Sequence, residues 1–143
     1  MTRRDARIAA FQVLFSTIIN EVSANEALLL AKEVEEPILD DFAEKIVLAT
    51  YNHLYEIDNL LVPHLKGWSI KRISKMSLTI LRLSIAQLYY WDEIDDRPIE
   101  GLHRIVINES VAISKLFGND DDYIFVNGVL GSIVRSTKEE EVS

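Results

Sequence analysis

The sequence contains no cysteine, which removes disulfides, thiolate nucleophiles and cysteine-ligated zinc from consideration. Proline and glycine are scarce, at three and five copies in 143 residues, so few positions interrupt regular structure. No apolar run approaches the roughly 18 residues that a membrane span needs, and Met1 leads straight into Thr2, Arg3 and Arg4 without the apolar core of a secretory signal. A cytoplasmic, bacterial-type soluble chain without a membrane partner is the expectation. The phosphate-cradling glycine loop, the dinucleotide glycine fingerprint, the serine nucleophile elbow and the paired-histidine zinc helix are all missing. His53, His64 and His103 lie too far apart for an i, i+4 metal pair. After Asp120 and Asp122 the third ligand position of a calcium loop would fall on Ile124, which has no oxygen to offer. The expectation is a chain with no catalytic residues, no metal and no cofactor.

Charge is present, and it is unevenly spread. The formal net charge is -8, which taken alone disfavours a general coat protein for nucleic acid, because the phosphate backbone would be repelled at long range. Yet residues 66 to 82 hold Lys66, Lys71, Arg72, Lys75 and Arg82 without one acid, and Arg3, Arg4 and Arg7 crowd the N-terminus against Asp5 alone. The acids gather elsewhere, at Glu33, Glu35, Glu36, Asp40, Asp41 and Glu44, at Asp92, Glu93, Asp95 and Asp96, and at Glu139 to Glu141. Such segregation suits either one basic and one acidic partner face or merely solvated helix surfaces.

Apolar residues recur at helical spacing throughout, which predicts an all-α fold of about seven helices in a single domain over 1–136, followed by a disordered acidic tail at 137–143. Thr2-x-x-Asp5 and Ser23-x-x-Glu26 read as capping boxes opening helices at 3–20 and 24–35. Pro37 lies near the start of a long helix over 38–62 that Pro63 closes. Gly67 sets off a short basic helix at 69–74, and "MSLTILRLSIAQLYYW" is apolar around much of its circumference, as a central helix must be. A helix over 99–117 should end at Gly118 in the left-handed region, and Asp120, Asp121 or Asp122 should cap a last helix over 121–136.

Two segments stand out. On the first helix Arg7, Phe11, Leu14 and Ile18 share a stripe, and Arg3 and Arg4 leave within about 100° of Arg7. Planar, permanently charged guanidinium suits phosphate, while pairing with acids at the rim of the core is the equal alternative. On the last helix Val126, Val129, Leu130 and Ile133 form the inward stripe. There Phe125 is either a core aromatic or a ring on which a base stacks, beside Asp121, whose carboxylate could accept from a base amino group. Gly128 suggests close approach of a neighbouring helix, and Asn127 has no assigned role.

Four stretches, "RRDARIAAFQVLF", "ILRLSIAQL", "INESVAISKLFG" and "FVNGVL", in this order and at suitable spacing, resemble the NusB family of transcription antitermination proteins. The resemblance implies a compact helical bundle without enzymatic activity that binds single-stranded boxA RNA in nascent ribosomal RNA leaders. It would do so with NusE, a basic small-subunit ribosomal protein, within an antitermination complex on RNA polymerase. It also implies RNA-binding roles for Arg3, Arg4, Arg7, Asp121 and Phe125, to which the basic run adds Lys71, Arg72 and Lys75 as a secondary set. Departures are Ser77, where the family often has an acid that helps hold the basic partner, a longer segment between Pro98 and Ile107, and Gly131 in place of a frequent Asp. The partner surface is therefore expected only as a region, and a homodimer is a further possibility. Two other readings are an accessory domain of the kind joined to RNA cytosine methyltransferases and a helical adaptor that does not bind RNA.

Overall fold

The computed structural model describes residues 1–33 and 39–142, with side chains through residue 137. Its elements are α1 (Arg3–Ile19), α2 (Ala24–Glu33), α3 (Asp41–Asn52), α4 (Leu54–Leu61), α5 (Lys75–Tyr89), α6 (Leu102–Phe117) and α7 (Asp122–Val142). Short 3-10 turns stand at Val62–His64 and Trp91–Glu93. The fold among the described residues is all helical, as the periodicity requires. The expected positions 34–35 of the second helix, and Pro37 and residue 38 at the start of the third, lie outside the described residues.

The caps follow from side-chain chemistry. Thr2 accepts from the Asp5 amide at 3.0 Å, Ser23 from Glu26 at 3.2 Å, Asp40 from Ala43 at 2.8 Å and Ser74 from Ser77 at 3.0 Å. Each satisfies an amide that the first turn leaves unpaired. No helix among the described residues is long and apolar enough to cross a membrane.

At the centre lies α5, which packs against α1, α3, α4, α6 and α7. Its Ile80, Leu81, Leu83 and Ile85 have no solvent exposure, which accounts for apolar residues around most of its circumference. The small residues Ala6, Ala9 and Ala10 let α1 approach closely, and Phe11 of α1 meets Phe117 of α6 with ring centroids 5.1 Å apart. Buried and half-buried polar side chains are used as rivets. Ser84 of α5 donates to the Ile80 carbonyl and accepts from Ser110 of α6. Arg82 forks onto Asp58 of α4 at 2.9 and 2.8 Å.

Four expectations are corrected. The helix expected over 38–62 is broken at His53, whose backbone (φ -117°, ψ 23°) leaves the helical region. There its ring stacks on Tyr90 at 3.7 Å and its Nε2 meets Glu93 at 2.8 Å. The basic helix at 69–74 does not form. Lys66 and Gly67 both take positive φ, and a turn closed by the Arg72 amide on the Ser69 carbonyl at 3.0 Å replaces it. So short a segment cannot recover the cost of nucleation, and Ser74 must stay extended to cap α5. Gly118 is extended (φ -92°, ψ -178°), not left-handed. A Cβ on it would meet Asp122 Oδ2 at 2.7 Å and the Ser114 carbonyl at 2.8 Å, so close approach is what calls for glycine. Finally, α7 continues to Val142. The backbone of 137–142, expected as a disordered tail, is thus helical, in keeping with the good helix formers Lys138 and Glu139 to Glu141.

Candidate nucleic-acid interface

The N-terminal arginines separate into two kinds. Arg4 is exposed and forks onto Glu109 of α6, with Nε and Nη2 donating at 2.9 and 3.1 Å. That hydrogen bond, reinforced by the mutual charge, holds the Glu109 carboxyl below the usual carboxylate range. Arg3 is also exposed, lies 3.8 Å over the Phe42 ring and reaches Asp95 at 3.4 Å. Asp95 is lowered chiefly by the backbone amide of Arg97, with Arg3 a lesser contributor.

Arg7, expected beside them as an RNA contact, is buried at 5% exposure. Its Nε donates to Gln87 Oε1 at 2.6 Å, and its guanidinium lies 5.3 Å from the Phe42 centroid. Burial pushes its pKa down, though a guanidinium remains charged. The apolar stripe that Arg7 shares with Phe11 and Leu14 carries it into the core, so its chemistry here is structural. As the structure stands, its guanidinium is not presented to a ligand.

The second candidate pair sits at the start of α7. Asp121 is exposed and its carbonyl accepts from Ile124 at 3.1 Å and Phe125 at 3.5 Å, which places it at the cap position. The neighbouring Asp122 carboxylate is engaged, accepting from the Asn119 amide at 2.7 Å. Phe125 is half-buried and packs on the core, with one side open. It lines two adjoining clefts of about 190 and 200 Å³. The first includes Trp68, Arg72 and Ser77, and the second includes His64, Lys66, Trp68 and Gly128.

The secondary candidates Lys71, Arg72 and Lys75 are exposed and, among the described residues, make no ion pair. Arg72 lines the cleft beside Phe125; Lys71 and Lys75 flank it in sequence. The structure therefore joins Phe125 to the basic run, not to the N-terminal arginines. Arg7 is anchored at Gln87 and Phe125 stands beside Ser77, positions on α5 separated by about 15 Å at 1.5 Å per residue.

Gly128 was expected to admit a neighbouring helix, and it does not. It is exposed, and a Cβ there would meet nothing within 4 Å, so the glycine leaves the floor of the cleft open. Trp68, not among the residues expected at the site, is 55% exposed. A tryptophan inside an acid-free basic run is the signal that could have found it. Asn127 is on the exposed side of α7, and no side-chain contact explains it.

Fold and surfaces define a small all-helical protein with one cationic face lined by aromatic rings and, apart from it, a face where exposed arginines are paired with acids. A model of the NusB family matches residues 4–135. The chain belongs to the NusB family. It is 36% identical over 138 residues to the transcription antitermination protein NusB of Listeria monocytogenes, covering 96% of this chain and all of that one. To the same protein of Staphylococcus epidermidis it is 37% identical over 135 residues, covering 93% and 98%. Among solved structures, NusB of Aquifex aeolicus superposes with a TM-score of 0.77 at 30% identity, over 96% of this chain and 90% of that one. A chain in a crystal structure of antitermination factors NusB and NusE with dsRNA superposes with a TM-score of 0.77 at 26% identity, over 95% and 99%.

Proposed function

We propose that this protein is a non-enzymatic RNA-binding adaptor of transcription antitermination, which takes boxA RNA of ribosomal RNA leaders together with NusE. The likeness over nearly the whole chain to the NusB of a complex with NusE and dsRNA carries the proposal. The surface supplies the chemistry. Arg3 and Arg4, themselves exposed, can exchange their carboxylate partners for phosphate, because an ion pair with an exposed member is weak. Arg72, Lys71 and Lys75 attract the strand toward the aromatic cleft, where Phe125 offers a face to an unstacked base. Asp121, repelled by phosphate, accepts from a base amino group at its edge. The bound strand is single at the cleft, since a base paired in a duplex cannot present its face to a ring.

Phe125→Ala tests the reading. It should cost roughly 1 to 3 kcal/mol of binding to boxA RNA. Because the ring is half-buried, it should also cost about 2 kcal/mol of stability, below the 3 to 5 of a fully buried phenylalanine. Unchanged affinity measured by fluorescence anisotropy well below the unfolding transition would return Phe125 to the core alone.

A further inference from the structure

Trp68 and Phe125 are the two side chains common to both clefts at the start of α7. Trp68 stands more than half exposed on a turn whose backbone is fixed by positive φ at Lys66 and Gly67. An exposed indole of this size is not explained by packing, since the core is complete beneath it at Leu65, with 1% exposure, and Val129, with 5%. Around these groups Lys66 and Arg72 are exposed and make no ion pair among the described residues, while Asp122, the one carboxylate in the lining, is held by the Asn119 amide.

We propose that Trp68 and Phe125 together form a nucleobase pocket in which the indole is a second stacking platform and Arg72 and Lys66 hold the flanking phosphates. The proposal rests on the RNA-binding reading and adds to it Trp68 and Lys66. The ligand class is single-stranded RNA, because a planar aromatic surface beside unpaired cations satisfies both the face of a base and the charge of its backbone. Clefts of about 190 and 200 Å³, against about 30 Å³ for one water molecule, leave room for a planar ring. Gly128, whose missing Cβ would meet nothing within 4 Å, keeps the adjoining floor clear.

The chain has two tryptophans, so Trp91→Phe leaves Trp68 as the sole indole reporter. Titrating this variant with a short single-stranded RNA containing boxA should quench its emission saturably, and a duplex of the same sequence should quench it less. Trp68→Ala should weaken RNA binding by about tenfold or more, with Trp68→Phe restoring most of the loss and circular dichroism showing the native fold in both. Arg72→Gln should lower the slope of log affinity against log salt by about 0.7. If Trp68→Ala binds RNA like wild type and emission does not change while Arg4→Gln still weakens binding, the pocket is wrong and the RNA-binding reading stands. If Trp68→Ala loses NusE capture alone, the surface belongs to a protein partner and the proposal is overturned. Absence of RNA binding by the unmodified chain, with and without NusE, would overturn both.

Discussion

Arg4 and Arg7 lie about one turn apart on α1 and meet different surroundings. Arg4 reaches in from solvent to a half-buried Glu109, whereas Arg7 is enclosed with Gln87 and Phe42. Removing Arg7 leaves the Gln87 oxygen buried without its donor, so Arg7→Ala should lower the unfolding free energy by roughly 2 kcal/mol in chemical denaturation. Arg4→Ala removes the partner of Glu109, so it should lower stability, though by less than Arg7→Ala, and weaken RNA binding as well. The Arg4 partner also makes a pH prediction. The folded pKa of Glu109 is depressed by the Arg4 hydrogen bond, so its stabilising contribution is complete above the ordinary glutamate value of about 4.3. It is lost as pH falls through the lower folded value. Glu109→Gln should therefore melt below wild type at neutral pH, and the two thermal midpoints should converge as pH falls through the lowered folded value. At this scale the sequence was half legible. Periodicity put Arg7 on the buried stripe, but residue type suggested a ligand contact, and only the packed structure shows that burial wins.

Two glycines near and within α7 do opposite work. Gly128 sits mid-helix with open space at its Cβ position, so Gly128→Ala should raise the unfolding free energy by about 0.5 to 1 kcal/mol through the unfolded chain's lost freedom. Gly118 meets the Ser114 carbonyl and Asp122 where its Cβ would be, so Gly118→Ala should destabilise by about 1 to 3 kcal/mol. Urea denaturation of the two variants checks both signs. Neither role was readable beforehand, because glycine marks a special position without saying whether the need is conformation, approach or open space. Helix existence was readable from apolar spacing and caps, as Thr2, Ser23 and Asp40 show. Helix interruption was not. The break at His53 depends on a ring stacked on Tyr90, far away in sequence, and the turn at 66–72 depends on backbone angles that a run of lysine and arginine does not reveal.

Across the molecule, the charge segregation seen along the chain is only partly preserved in space. Folding brings Asp95 and Glu109 against Arg3 and Arg4, while Lys66, Lys71, Arg72 and Lys75 stay without acidic partners among the described residues. Arg3 and Arg4 on one side, and Asp121 and Phe125 on the other, thus lie on two separate parts of the surface. Four motifs made the family legible, but they gave no means of seeing that Phe125 consorts with Arg72, because that pairing is created by the packing of α7 against α5. If Arg3, Arg4 and Arg72 each meet one phosphate, at about -0.7 per contact on single strands, the slope of log affinity against log salt is about -2. The most direct test is equilibrium binding of boxA single-stranded RNA to the intact chain at two salt concentrations, with and without NusE. The account predicts a slope near -2 and tighter binding when NusE is present; no binding under either condition would contradict it.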